Sequence, residues 1–277
     1  MSIHFTAVLL LSQPWPLDVE ELARAVRKRF PEIGPVEPVP PQPDKPNTSV
    51  LMVDQAPVLI ESEDGALADE DLQAPMNTLR PAGMDTAVAR HHARLRVSAG
   101  GSLDGLEGAE AYATLVHFVT AAAATFIPAA AVYWEDGYCL SRIEDFVSKA
   151  NQLLEGKMPV INWISFATVI PRGYTADQAT GMVTFGLQQF VGRELELAPR
   201  PAAARDALRI LTAIARMMLD KGTRLSDGLR LEGEAEAEQV VVREKNHWLR
   251  QNMSAFVLVS DDAIVDASTL RPRAPAA

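Results

Sequence analysis

Two stretches decide the fold class: IHFTAVLLL (residues 3–11) and, after a short Pro-containing break, DVEELARAVRKRF (residues 18–30). In the first, Ile3, Phe5, Ala7, Leu9 and Leu11 alternate onto one face, while Val8 and Leu10 turn the other face apolar. That pattern reads as a strand interior to a sheet. In the second, Asp18 stands three residues before Glu21, the spacing of a capping box. Val19, Leu22, Val26 and Phe30 then recur at helical intervals until Pro31 stops the run. Downstream, Ser49–Val53 and Pro57–Glu61 read as two short strands turning around Gln55 and Ala56. A strand, helix, strand, strand order is half of a ferredoxin-like sandwich, with a helix covering an antiparallel sheet.

Between Pro31 and Pro46 seven prolines deny the backbone regular hydrogen bonding, so 31–48 reads as an extended surface loop. The acidic, Pro-interrupted segment from Asp64 to Ala82 marks the expected boundary of a first domain, 1–82. A larger unit, 83–270, follows. Its strands are Ala93–Ala99, Ala130–Trp134, a long one over Val160–Ile170, Met182–Phe185, Glu194–Leu197, Val240–Val242 and Phe256–Val259. Three helices alternate with them. One runs from Leu106 to Phe126 with a small-residue stripe. A second starts at the capping box Ser141 and Glu144. A third carries Leu208, Leu211, Ile214, Ala215 and Met218 on one face, with Pro201 in its first turn and Gly222 past its end. Residues 271–277 read as a disordered tail. The expected class is α+β, with largely antiparallel sheets covered by helices. A duplicated ferredoxin-like arrangement and one wide sheet both fit.

With 277 residues, 48% hydrophobic and 22% charged, the chain can bury a sizeable core. Its net charge of -10 argues against an extended polyanion such as DNA or RNA as partner. The densest basic stretch, Arg24, Arg27, Lys28 and Arg29, reads as the solvated face of the first helix. A single cysteine, Cys139, excludes an internal disulfide and any Cys-rich zinc site. Residues 111–134 lack charge, but alanine, threonine, His117 and Pro128 and the flanking Glu110 and Glu135 read as a buried helix and strand rather than a membrane span. No secretory signal is expected at residues 1–11, so the location expected is cytoplasmic.

One arrangement is recognisable: Pro171-Arg172 and Tyr174, Thr180-Gly181, Phe185-Gly186, Arg193-Glu194-Leu195-Glu196, and Asp227-Gly228 beyond the last helix. It resembles the uncharacterised bacterial family numbered 4261 among domains of unknown function (DUF4261). The strands Ala93–Val97 and Ala131–Trp134 resemble that family's upstream portion. The resemblance implies a fold; it carries no activity, cofactor or catalytic residue.

Glu194 and Glu196, two apart on a strand, point to one side, with Arg193 and Leu195 on the other. Such a pair can serve acid–base or metal chemistry, but no partner that would split their pKa values is identifiable, and a solvated face or an ion pair with Arg172 or Arg193 is the plainer reading. His91 and His92 are adjacent and cannot easily share a metal, and His4, His117 and His247 lack ligand spacing. Gly100-Gly101 lacks the rest of a phosphate-loop pattern and reads as a tight turn. Trp134 and Trp163 read as core. The sequence thus points to a non-enzymatic module that binds a protein partner, without cofactor, metal, nucleic acid or membrane. The alternative is an enzyme or small-ligand binder around Arg172, Arg193, Glu194 and Glu196, with Tyr174 and Thr180 as further candidates. No catalytic residue is assignable.

Overall fold

The computed structural model describes residues 3–39, 47–68, 81–101, 105–170, 174–176, 178–201, 204–232, 239–246 and 254–260. The class is α+β, as the sequence pattern implies, and the chain divides into two units: residues 1–72 with 80–162, and residues 73–79 with 163–277.

In the first unit β1 (Ile3–Leu11) leads to α1 (Val19–Arg29), where the Asp18 carboxylate accepts a hydrogen bond from Glu21 N at 3.0 Å, as its spacing predicts. A 3-10 turn (Pro31–Ile33) and β2 (Val36–Val39) lie in the Pro-rich stretch; the rest of it, 40–46, is outside the described residues. β3 (Thr48–Val53) and β4 (Ala56–Asp64) form a hairpin whose two turn residues, Asp54 and Gln55, take positive φ values of 45° and 68°. That is the conformation expected of a two-residue hairpin turn. After α2 (Met84–Arg90) come β5 (Ala93–Gly101), α3 (Gly105–Ala123), β6 (Ala129–Trp134), β7 (Cys139–Ser141) and α4 (Ile143–Leu154). The seven-stranded sheet has the order β2-β3-β4-β5-β1-β6-β7, antiparallel in every pair, with β1 interior as its two apolar faces require.

The boundary expected at residue 82 is not where the unit ends. β5 pairs along its whole length with β1 and along most of it with β4, so the strands either side of residue 82 belong to one sheet. Gly100 and Gly101 likewise continue β5 opposite His4 and Ile3 rather than forming a tight turn. A Cβ on Gly101 would fall 2.2 Å from the Tyr112 hydroxyl, so the close approach of α3 to the sheet requires glycine there. Ser141 does not cap α4 either. It ends β7, its hydroxyl accepts from Asn162 Nδ2 at 2.7 Å, and Arg142 holds the cap position without a side-chain bond.

The two faces of this sheet differ. Phe5, Ala7, Leu9, Leu51, Val53, Val58, Ile60, Leu95 and Val97 face α1 and α3 and are fully buried. Each of these side chains except Ala7 contributes about 1.5–3 kcal/mol by leaving water. On the opposite face Val8, Leu10, Ala131, Tyr133 and Leu140 pack under Leu67 and Met84, with Ala87 and Val88 of α2 at the margin. Farther along that face, over β2, β3 and β4, Val39 is exposed and Val50, Met52 and Leu59 are partly so.

The strand expected over Val160–Ile170 is broken where the second unit begins. Val160–Trp163 is one helical turn, α5, and the strand that follows, β8, covers Ser165–Val169 alone. Pro159 immediately before it suits a helix start better than a strand. β9 (Thr180–Phe185), α6 (Gln188–Val191), β10 (Glu194–Arg200), α7 (Ala204–Lys221), β11 (Arg230–Glu232), β12 (Gln239–Asn246) and β13 (Ser254–Ser260) complete a six-stranded sheet, β11-β12-β13-β10-β9-β8. β10 and β13 run parallel; the other pairs are antiparallel. Gly222, at φ 61°, ends α7 as expected. The two sheets differ in strand number and order, so the units are not two copies of one arrangement. The acidic stretch 233–238 and the tail 271–277 lie outside the described residues. Among the described residues no helix is long and apolar enough to cross a membrane.

Candidate functional site

β10 sits between β9 and β13, and its position decides the fate of the carboxylates. The sequence reading places Glu194 and Glu196 on a solvated strand face; both are fully buried. Glu194 accepts three hydrogen bonds: Oε2 from Thr184 Oγ1 at 2.7 Å and from Leu187 N at 3.2 Å, Oε1 from Gly186 N at 2.8 Å. Those amides belong to the turn that opens α6, where the first N–H groups of a helix have no carbonyl of their own to reach. The Thr184 hydroxyl accepts in turn from Leu195 N at 2.8 Å, tying the two ends of the 184–195 connection together. Burial pushes the Glu194 carboxyl up to about 7, with the hydroxyl and the backbone amides pulling it back down.

Glu196, two residues on, lies across from Val183 on β9 and Val257 on β13. Arg193 lies against a ring. Its guanidinium lies 4.9 Å from the centre of the Phe256 ring, and Phe256 is the residue opposite Leu195, on the other side of the strand. Thr180 is buried, and its hydroxyl donates to the Ala176 carbonyl at 2.6 Å within a local turn. Tyr174 is exposed, and Arg172 is outside the described residues. The candidates read from the sequence therefore separate into a carboxylate held by backbone, a cation stacked on a ring, a hydroxyl holding a turn and a surface tyrosine.

Elsewhere the titratable groups are also held by structure. His117, in the middle of α3, is fully buried, stacked on the Phe146 ring at 3.8 Å and bonded through Nε2 to the Phe146 carbonyl at 3.0 Å. A carbonyl can only accept, so Nε2 carries the hydrogen. Burial lowers its pKa to about 3. His91 accepts from Leu67 N at 2.8 Å and also bonds the Val88 carbonyl. Cys139 donates to the Gly137 carbonyl at 3.3 Å, and burial pushes its thiol well above the usual range. Among the described residues, no three His, Cys, Asp or Glu are grouped to hold a metal ion.

The feature that sequence reading missed is the open part of the seven-stranded sheet. The register aligns Val39, Val50 and Leu59 in one cross-strand row, with Met52 beside it opposite Glu37 and Pro57. Continuing along the same face, Glu61 stands opposite Arg96 and Glu63 opposite Arg94. Glu63 pairs with Arg94 and lies 3.8 Å from Arg96, which pairs with Glu135 at 3.0 Å. An apolar row thus borders a band of partly exposed, alternating charge. Its signal is in the sequence: Val50, Met52 and Leu59 break the polar-out alternation that Leu51, Val53, Val58 and Ile60 set up for a sheet with one face in water.

No family model and no curated protein matches the chain. Among solved structures it is similar to a suppressor of fused homologue from Neisseria gonorrhoeae FA 1090, at 13% identity and a TM-score of 0.29, over 38% of this chain and 64% of the length of that one.

Proposed function

We propose that the chain is a non-enzymatic protein-binding module whose contact surface is the outward face of β2, β3 and β4. The observation that carries this is the aligned row Val39, Val50 and Leu59, with Met52, left partly open on a sheet whose other face buries Leu51, Val53, Val58 and Ile60 completely. Apolar groups in register on an open sheet face present a flat surface whose burial drives association, and the neighbouring band of Glu61, Glu63, Arg94 and Arg96 supplies a polar rim that selects among partners. Strand addition at the β2 edge is a poorer mode. Pro35 O accepts from Asp54 N, which places the Pro38 nitrogen at a position facing away from β3, so the free edge lacks a donor there. Recognition through the face suits this edge.

Val50→Lys and Leu59→Lys test the proposal. Lysine keeps an aliphatic stem along the sheet while placing a charge where the partner would sit. Both variants are expected to keep the unfolding midpoint within a few degrees of wild type and to lose, together, the proteins that immobilised wild type retains from its native lysate. Equal retention by wild type and both variants overturns the assignment of this face.

A further inference from the structure

A second surface, separate from the sheet face, carries chemistry of a different kind. Glu21, Arg24, Ala25, Lys28 and Arg29 recur on α1 at intervals of three, one, three and one, the spacing of a single helical stripe. That stripe, together with Thr125 and Phe126 just past the end of α3, lines a cleft of about 490 Å³. Three cations and one carboxylate therefore face one concavity, on a chain whose net charge is -10.

Ordinary duties do not account for these cations. Among the described residues Arg24 and Lys28 make no hydrogen bond or ion pair, although Glu20 and Glu21 stand at helical spacing from Arg24. Arg29 lies 5.5 Å from the centre of the adjacent Phe30 ring, and its Nε–H is shielded from solvent without an acceptor. Three of the last four carbonyls of α3 already have donors within the chain: Thr120 O accepts from Ala124 N, Ala122 O from Thr125 N, and Ala123 O from Phe126 N and Ile127 N. The dipole of α3 offers roughly half a negative charge there, which leaves most of the positive charge uncompensated. The α1 dipole favours Lys28 and Arg29 in its last turn but not Arg24, which stands before that turn, so it explains only part of the stripe; Arg27, in the same last turn, points its Nε to the Ala23 carbonyl and does not line the cleft.

We propose that this cleft binds a phosphorylated small molecule, its phosphate held by Arg24, Lys28 and Arg29 and its apolar part laid against Ala25 and Phe126. A phosphate dianion matches the surplus charge, guanidinium donors match its oxygens, and the volume falls within that of small-molecule sites. This rests on none of the reasoning about the sheet face.

The test is an NMR titration of the ¹⁵N-labelled full chain with inorganic phosphate and with phenyl phosphate, at pH 7.5 and constant ionic strength. The expected result is saturable shifts of the 24–29 and 125–126 amides with Kd below about 1 mM, phenyl phosphate binding the tighter. Arg24→Gln and Lys28→Gln are each expected to weaken binding tenfold or more, while Arg27→Gln, which removes the same charge outside the cleft, leaves it unchanged. All three sites are on the exposed side of α1, so the fold is retained. Shifts that stay linear with concentration, or an Arg27→Gln effect equal to that of Arg24→Gln, overturn the proposal.

Discussion

Glu194→Ala is expected to destabilise the unit that carries β9 and β10 by about 2–4 kcal/mol. The substitution removes the acceptor of the Gly186 and Leu187 amides and of the Thr184 hydroxyl, all buried. Each buried donor left without an acceptor costs about 1–3 kcal/mol, partly offset by relieving the burial of the carboxyl itself. Glu194→Gln, which keeps one acceptor oxygen and has the shape of the protonated acid, is expected to cost less than Glu194→Ala. Native-state hydrogen exchange at the β9 and β10 amides measures the effect. An active-site carboxylate behaves in the opposite way, because removing a group held against the demands of packing leaves stability unchanged or raised. The same site has a pH signature. With the folded carboxyl at about 7 and the unfolded one at 4.5, the folded chain keeps a proton that the unfolded chain releases between those values. Stability of this unit therefore falls as pH rises through that window, by about 2 kcal/mol from pH 5 to pH 7, and Glu194→Gln removes the slope.

His117 sets the opposite trend in the first unit. Its folded pKa of about 3 lies below the unfolded value of 6.5, so on acidification the unfolded chain takes up a proton that the folded chain refuses. The contribution is fully present above pH 6.5 and is lost as pH falls toward 3, about 2 kcal/mol of it between pH 7 and pH 5. Burial inside the first unit disfavours the charged ring, which stacks on Phe146 and donates to its carbonyl. His117→Gln, which can still donate but does not titrate, is expected to flatten the slope at the α3 and α4 amides while costing some packing. Site-resolved exchange at pH 5 and pH 7 thus separates the two units by the sign of their response. Equal and parallel slopes would contradict both assignments.

Much of the fold was legible because local pattern and tertiary setting agree. Residues 3–11, apolar on both faces, do form an interior strand; Asp18 does cap α1; Trp134 and Trp163 are in the core. The errors fall where a tertiary partner overrides a local signal. Ser141 has a capping-box spacing but ends a strand instead, and Gly100-Gly101 looks like a turn but extends β5 by pairing with His4 and Ile3, Gly101 leaving room for Tyr112. The domain boundary failed for a related reason. An irregular, Pro-interrupted segment marks a break in secondary structure, and pairing of β5 with β1 across more than eighty residues leaves no local trace. The Glu194 site was half visible. The spacing of Glu194 and Glu196 placed both carboxylates on one side of a strand, but their burial depends on β13, some sixty residues away, and the partners of Glu194 are backbone amides that no residue pattern announces.

The most direct test of the binding surface is hydrogen–deuterium exchange of the full chain, alone and saturated with a partner that wild type retains and both lysine variants lose. Slowed exchange over residues 36–61, with β8 to β10 unchanged, is the predicted result. Protection confined to β8 to β10, with residues 36–61 exchanging as in the free chain, would contradict the account and return attention to the carboxylate strand.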